Sequence, residues 1–161
     1  MTLGVIVLAG LLAGAAGYLV FSRDSRPSKP PVNTQPAAAE LGARRFESRL
    51  VGVLGRLDTT RLSKRKQMAD AKGARGQAAA SRAIASAYRA AAASIDGLTP
   101  ADDQRPAASA VTDKLVRAAR VYDQLAAAAS ARDRHWYNER RSAIGLREAA
   151  VRRAVAQVSA R

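Results

Sequence analysis

The feature that most restricts the fold is an uninterrupted uncharged run near the start of the chain, from Leu3 to Phe21. As an α-helix this run is about 28 Å long, close to the hydrocarbon thickness of a bilayer, which is about 30 Å. A backbone in lipid must satisfy its own hydrogen bonds, and a single segment does so only as a helix. Tyr18 lies near the far end, where an aromatic ring suits the lipid–water interface. We therefore predict a single transmembrane helix, an anchor over residues 1–21.

A cleaved signal peptide is the alternative for this segment. Signal peptides carry a basic n-region, an apolar stretch of roughly 7–15 residues and a cleavage site of small residues behind it. Here Met1 and Thr2 are uncharged and the apolar run is longer. The small residues lie inside the run rather than behind it: Ala13, Ala15 and Ala16. These features favour an anchor that stays attached.

Two glycines of the predicted span, Gly10 and Gly14, stand four residues apart. Small residues at this spacing let two helix backbones approach closely, which predicts a homodimer through the transmembrane helix. The alternative is that both glycines simply face lipid.

The charges behind the span bear on its orientation. Arg23, Arg26 and Lys29 follow it, Asp24 offsets one of them, and no basic side chain precedes it. Taken alone, the positive-inside rule holds the rest of the chain in the cytoplasm.

A proline-rich linker and then a helical region follow the span. Residues 22–36 contain four prolines and predict an extended, solvated spacer. From Ala37 onward the only prolines are Pro100 and Pro106, and apolar residues recur at helical spacing. The clearest stripes are Phe46, Leu50, Val53, Leu54 and Leu57; Ile84, Tyr88, Ala91 and Ile95; Val111, Leu115, Ala119, Tyr122 and Leu125; and Tyr137, Ile144, Val151 and Val158. They predict an all-α fold in which residues 37–161 form an antiparallel three- or four-helix bundle.

Local signals place the helix boundaries within this region. Residues 58–60 (Asp-Thr-Thr) predict an N-cap or a break, and residues 62–77 are either a frayed helix or a basic loop. Gly97, followed by Pro100, predicts the end of a helix. Asp133 predicts the N-cap of the last helix.

The sequence shows no pattern typical of an active site. Cysteine is absent, and His135 is the only histidine, so a zinc site lacks its ligands. Asp102 and Asp103 adjoin a proline turn, where aspartate more often caps a helix than forms an acid–base pair. Neither a P-loop nor a nucleophile elbow is present. We therefore expect a protein that is not an enzyme, with no catalytic, cofactor-binding or metal-binding residues.

The charge is the strongest compositional signal, with 27 lysines and arginines against 13 aspartates and glutamates and a formal net charge of +14. A surplus of this size predicts an anionic partner such as acidic lipid, a wall polymer or nucleic acid. The alternative is that it reflects only the arginine-rich composition common in high-GC genomes.

Two basic clusters are candidate anion contacts: Lys64, Arg65 and Lys66, and Arg132, Arg134, Arg140 and Arg141. The second surrounds Trp136 and Tyr137, so charge and stacking could act together on an anionic polymer. The competing interpretation of the first cluster is a solvated charge run. For the second, Trp136 packs into the bundle end while the arginines extend into water.

The order of elements in residues 63–100 and 116–155 resembles a group of actinobacterial helical domains rich in alanine and arginine. The matching pattern is a helix, a Leu-x-Pro turn, a helix containing Ala-Tyr or Val-Tyr, a short Arg-Asp hinge and a closing helix. Such domains stand behind a signal or membrane anchor and have no assigned catalytic residues. The resemblance therefore implies a helical bundle outside the cytoplasm. The charges behind the span predict the opposite side, so either side of the membrane remains an alternative for the bundle.

Three functions fit this organisation. A membrane-tethered, non-enzymatic interaction or scaffold module of the cell envelope, with a protein partner there, follows from the order of span, linker and amphipathic helices. A polyanion-binding module is the alternative suggested by the charge. A small phage or envelope-lysis component shares the same topology.

Overall fold

The computed structural model of the protein describes residues 35–159, which fold into four α-helices without a strand. They are α1 (Gln35–Asp70), α2 (Ala74–Asp96), α3 (Arg105–Ser130) and α4 (Arg134–Ser159). The prediction of an all-α bundle is confirmed for this part of the chain. The predicted anchor with Gly10 and Gly14, and the linker up to residue 34, lie outside the described residues. Of the four helices, none has the apolar length that a bilayer crossing requires.

Helices that follow one another in the chain pack side by side: α1 on α2, α2 on α3 and α3 on α4. Two contacts show that α2 and α3 run antiparallel. Arg82 Nη2 of α2 donates a hydrogen bond to Ser130 Oγ of α3 at 2.8 Å. Arg89, seven residues later on α2, pairs with Asp123, which is seven residues earlier than Ser130 on α3. The three-residue connections 71–73 and 131–133 lie at the same end of the bundle, which we call the two-loop end.

Each helix buries one stripe, made of alanines and a few larger side chains. Alanine lets helices approach closely but contributes little burial free energy, at about 25 cal/mol per Å² of apolar surface. The larger side chains therefore carry most of the packing. Those buried most completely are Tyr88, Tyr122, Phe46, Ile84, Ile95, Leu115 and Leu125. All of them lie in the stripes that the sequence predicts.

The predicted break at residues 58–60 is wrong, because α1 continues without interruption to Asp70. Asp58 Oδ1 lies 3.0 Å from Arg61 Nη2, and Thr59 Oγ1 donates to the Gly55 carbonyl at 3.0 Å, so both side chains bond within the helix. The apolar stripe ends at Leu57, but Arg61, one turn later, extends the same face by an ion pair inside the bundle.

The other boundaries follow the sequence more closely. Residues 62–77 divide into the last turns of α1, a short connection and the start of α2, rather than forming one frayed helix or one loop. The predicted stop is confirmed, since α2 ends at Asp96 with Gly97 as its C-cap. The predicted N-cap of α4 is also confirmed, because Trp136 N donates to Asp133 Oδ1 at 3.0 Å.

Candidate functional site

A groove of about 1040 Å³ opens at the two-loop end of the bundle. Its walls are the first turns of α2 and α4, and the end of α3 lies between them. Five arginines line it: Arg75, Arg82, Arg132, Arg134 and Arg141. All five are exposed, and no described residue of α1 lines the groove.

Four of these arginines form two tiers because of their helical spacing. Arg75 and Arg82 are seven residues apart on α2, as are Arg134 and Arg141 on α4. Seven residues are close to two turns, so each pair shares a helix face and is separated by about 10 Å along the axis. Both helices are antiparallel to α3 and therefore run in the same direction. We call Arg75 with Arg134 the outer tier, and Arg82 with Arg141 the inner tier.

The fifth arginine, Arg132, occupies an unusual backbone position in the turn between α3 and α4. Its φ of 56° is in the left-handed region. Arg132 N donates to the Ala129 carbonyl at 3.1 Å and Asp133 N to the Ala128 carbonyl at 3.0 Å, the hydrogen-bond pattern of a Schellman motif. Glycine is the usual residue here, since a side chain in the left-handed region costs about 1–2 kcal/mol. The chain thus carries a groove cation at a position where backbone energetics favour glycine.

Little negative charge opposes these arginines within the groove. Asp133 is the single carboxylate among the described residues that line it, and one of its oxygens already caps α4. The α2 wall also contributes the positive end of a helix dipole, because Gly73 at its N-cap offers no side-chain oxygen to the first N–H groups. Burial raises the pKa of Tyr137, an effect that Arg141 opposes, so this groove side chain is neutral near pH 7.

The structure separates the basic residues singled out in the sequence. Arg132, Arg134 and Arg141 line the groove, whereas Arg140 lies over the ring of Trp136, with Cζ 4.3 Å from the centroid. Trp136 is 44 % exposed. The expectation that this ring packs into the bundle end is therefore wrong: it stays at the surface beneath an arginine.

The cluster on α1 lies away from the groove. Lys64 Nζ donates to Gln67 Oε1 at 3.0 Å along the helix, and Lys66 is exposed. Arg65 turns into the bundle, where it pairs with Glu148 Oε2 at 2.9 Å.

Sequence reasoning missed two groove residues, Arg75 and Arg82. They stand 52 to 66 positions before Arg134 and Arg141 of α4, and only the packing of α2 and α4 around α3 brings the two sets together. The available signal was the shared spacing of seven, which repeats in Arg134 and Arg141.

A second polar cluster is buried in the core, around Glu148, which is 4 % exposed. Its Oε1 accepts hydrogen bonds from Tyr88 Oη at 3.1 Å and Tyr122 Oη at 2.8 Å. Its Oε2 accepts one from Arg65 Nη2 at 2.9 Å and lies 3.2 Å from Arg61 Nη1. Arg65 Nε also donates to Tyr122 Oη at 3.1 Å, and the two tyrosine rings stack with centroids 5.7 Å apart. We call these five residues the polar layer.

The polar layer shifts the pKa values of its members in ways that keep it intact. Burial and then the charge of Glu148 raise the pKa of Tyr88 to about 12, and the same two causes raise the pKa of Tyr122. Burial alone would lower the pKa of Arg61, but Glu148, Tyr88 and Asp58 together outweigh that effect and raise it. Near pH 7 both tyrosines are therefore neutral donors and Arg61 is charged.

The arrangement around Glu148 indicates a structural role. A carboxylate has about four acceptor positions, and here three hydrogen bonds and one ion pair from three other helices engage its two oxygens. The layer joins all four helices at one level. It also connects α4 to α1, two helices that are neither consecutive in the chain nor among the pairs that pack extensively side by side.

The described residues hold no group of three or more histidine, cysteine or carboxylate side chains arranged for a metal ion. Comparison of the chain with protein-family models, with curated proteins and with solved structures finds no match. The resemblance to actinobacterial helical domains stays a prediction, and the case for function depends on the groove.

Proposed function

We propose that the four-helix bundle is a non-enzymatic binding module that takes a polyanion in the arginine groove. The observation that carries this proposal is the convergence of five arginines from α2, α4 and the intervening turn on one concave surface. The only groove carboxylate among the described residues is already engaged at a helix cap.

The physical basis is the combination of charge, donor geometry and shape. Each guanidinium offers five N–H donors in a planar fork that matches phosphate or carboxylate oxygens. A concave site lined by one sign of charge concentrates the field and raises the local concentration of oppositely charged ligands. Exposed arginines with few acidic neighbours are also free to exchange water for a ligand, unlike Arg61 and Arg65 of the polar layer.

We further propose that residues 1–21 tether this module to a membrane, as their uncharged sequence predicts. The module then serves the cell envelope as an interaction or scaffold component, with an anionic polymer or lipid among its partners. The proline-rich residues 22–34, which precede α1, support this proposal as a spacer between anchor and module.

Binding of a fluorescent single-stranded oligonucleotide, used as a general polyanion probe, tests the proposal. The full chain in zwitterionic detergent is compared with two double variants, R82Q/R141Q in the groove and R152Q/R153Q at the other end of α4. Both variants remove two exposed charges. We expect the groove variant to lose about tenfold or more in affinity, because two charge-assisted contacts are lost. The control should change affinity less than about threefold.

Equal losses in the two variants, or no binding by the unmodified chain at low salt, would overturn the proposal. Circular dichroism of each variant checks that the helices are intact. The readout is meaningful because none of the four substituted side chains is buried.

A further inference from the structure

We infer that the groove recognises the repeating backbone of a phosphodiester polymer, and this inference rests on the anion-binding function proposed above. It specifies the chemistry of the ligand. Three observations carry it: the separation of the two tiers, the mostly uncharged surface between them, and the scarcity of aromatic side chains in the groove.

The tier separation favours a ligand with more than one anionic group. An oxyanion bonds donors within about 2.7–2.9 Å of its own oxygens. The backbone positions of the outer and inner tiers are about 10 Å apart along the helices, so extended side chains of the two tiers meet different anionic groups. The groove volume of about 1040 Å³ also matches the largest small-molecule sites, which reach about 1,000 Å³. A ligand that engages both tiers must carry several anionic groups in a row.

The surface between the arginines is mostly uncharged. Its floor is formed by the buried Ala78, Ala128 and Ala129, and Gln77, Ser130 and Asn138 add neutral polar groups. Neutral amide and hydroxyl groups at this place suit uncharged carbon-bearing units between successive phosphates, whereas a chain of phosphates alone places a charge against each of them. Alternating phosphate and organic units are the defining chemistry of a phosphodiester polymer.

Recognition through the bases of a nucleic acid is not favoured by the lining. Sequence-tolerant single-strand binders stack successive bases on several aromatic side chains. Tyr137 is the one aromatic residue among the described residues of the groove, and Trp136 is outside it with Arg140 over its ring. The groove therefore recognises phosphates and the distance between them. A nucleic-acid strand and a wall polymer of polyol phosphates have both features in common.

Four probes test this inference on the full chain in zwitterionic detergent. They are an oligothymidylate, an abasic oligonucleotide of the same length, a poly(glycerol phosphate) with the same number of charges, and a poly-L-glutamate with the same number of charges. We expect the three phosphodiester polymers to bind within about threefold of one another and the polyglutamate at least about tenfold more weakly. Inorganic phosphate at constant ionic strength should not displace the oligothymidylate.

Tier variants supply the second part of the test. R75Q/R134Q removes the outer tier and R82Q/R141Q the inner tier, and each should weaken the abasic oligonucleotide by about tenfold. Loss from one tier variant only would overturn the inference, because the ligand would then contact a single tier.

The outcomes separate this inference from the function on which it rests. Oligothymidylate binding far more tightly than its abasic counterpart would show that bases are read, and equal binding of polyglutamate would show that any polyanion suffices. Either result overturns the phosphodiester inference while polyanion binding in the groove stands. Failure of every polymer to bind overturns both.

Discussion

At the scale of single residues, Glu148 is the side chain of α4 that bonds to all three other helices. It occupies a core position between Ile144 and Val151, where an apolar residue is the usual choice, and its carboxylate has four partners on the other three helices. The net value of such a buried network is small compared with an apolar core, but removing one partner leaves the others uncompensated. We infer that the network's main effect is to set the position of α4 along the axis of α1.

Replacing this one carboxylate tests that role. We expect E148Q to lower the free energy of unfolding by about 3 kcal/mol, because Arg61 and Arg65 lose their shared buried carboxylate and Arg61 keeps only the exposed Asp58 as a counterion. Urea denaturation followed by circular dichroism measures the change. The matched control is E139Q, an exposed glutamate on the same helix, which should alter stability by less than about 0.5 kcal/mol. Equal effects of the two substitutions would contradict the assigned role of Glu148.

The tyrosines of the polar layer predict a loss of stability in alkali. The folded-state pKa of Tyr88 is about 12, above the ordinary value of about 10, so folding favours the protonated hydroxyl. Its contribution is therefore complete below about pH 10 and is lost as the pH rises to about 12, at roughly 1.4 kcal/mol per unit. Tyr122, whose pKa is also raised, acts in the same direction.

The corresponding measurement is urea stability across this pH range for the unmodified chain and for Y88F/Y122F. The double variant should be less stable near neutral pH, since two buried hydrogen bonds are absent, yet its stability should fall less steeply above about pH 10. Parallel pH profiles for the two proteins would mean that other groups cause the alkaline loss.

At the scale of elements, the turn between α3 and α4 combines a structural cost with a groove cation. Arg132 holds the left-handed position of the Schellman motif. We expect R132G to raise the free energy of unfolding by about 1 kcal/mol, because glycine adopts this φ without a steric penalty. The same change should weaken polyanion binding, since the groove loses one of its five arginines.

The control for this prediction is R120G, at an exposed position in the middle of α3. Glycine there should lower stability by about 1 kcal/mol, the usual cost within a helix, and leave binding nearly unchanged. An R132G variant that is destabilised would show that the arginine side chain stabilises the turn more than its backbone conformation costs.

The helices also show which parts of the fold the sequence predicts. The apolar stripes predict four helical faces correctly because burial of one face per helix dominates the packing, and local caps such as Asp133 depend only on neighbouring residues. The break expected at residues 58–60 is wrong for a non-local reason: Arg61 extends the buried face by pairing with Glu148, 87 positions further along the chain. Partners of that kind are not visible in the local pattern.

The groove was predictable only in part for the same reason. Three of its arginines stand together around the α3–α4 turn and were singled out as candidates. Arg75 and Arg82 join them only after α2 and α4 pack on either side of α3. A glutamate within a heptad stripe, as at Glu148, was the one local sign of a buried polar layer.

At the scale of the whole molecule, some arginines pair with carboxylates inside the bundle and others line the groove. Arg61 and Arg65, both partly exposed, pair with the buried Glu148, and Arg89 pairs with Asp123 across α2 and α3. Among residues 35–159, the one carboxylate that lines the groove with these arginines is Asp133, which caps α4. The composition alone predicts an anionic partner, and the packing of the helices brings together the arginines of the groove in which we propose that it binds.

The most direct test of this account is the salt dependence of polyanion binding by the full chain and by R82Q/R141Q. Single-stranded phosphate contacts contribute about −0.7 each to the slope of log K against log salt, so five arginines predict about −3.5 and three predict about −2. R152Q/R153Q should keep the slope of the unmodified chain. If the groove variant and this control show the same slope, the ligand does not bind in the groove and the central claim fails.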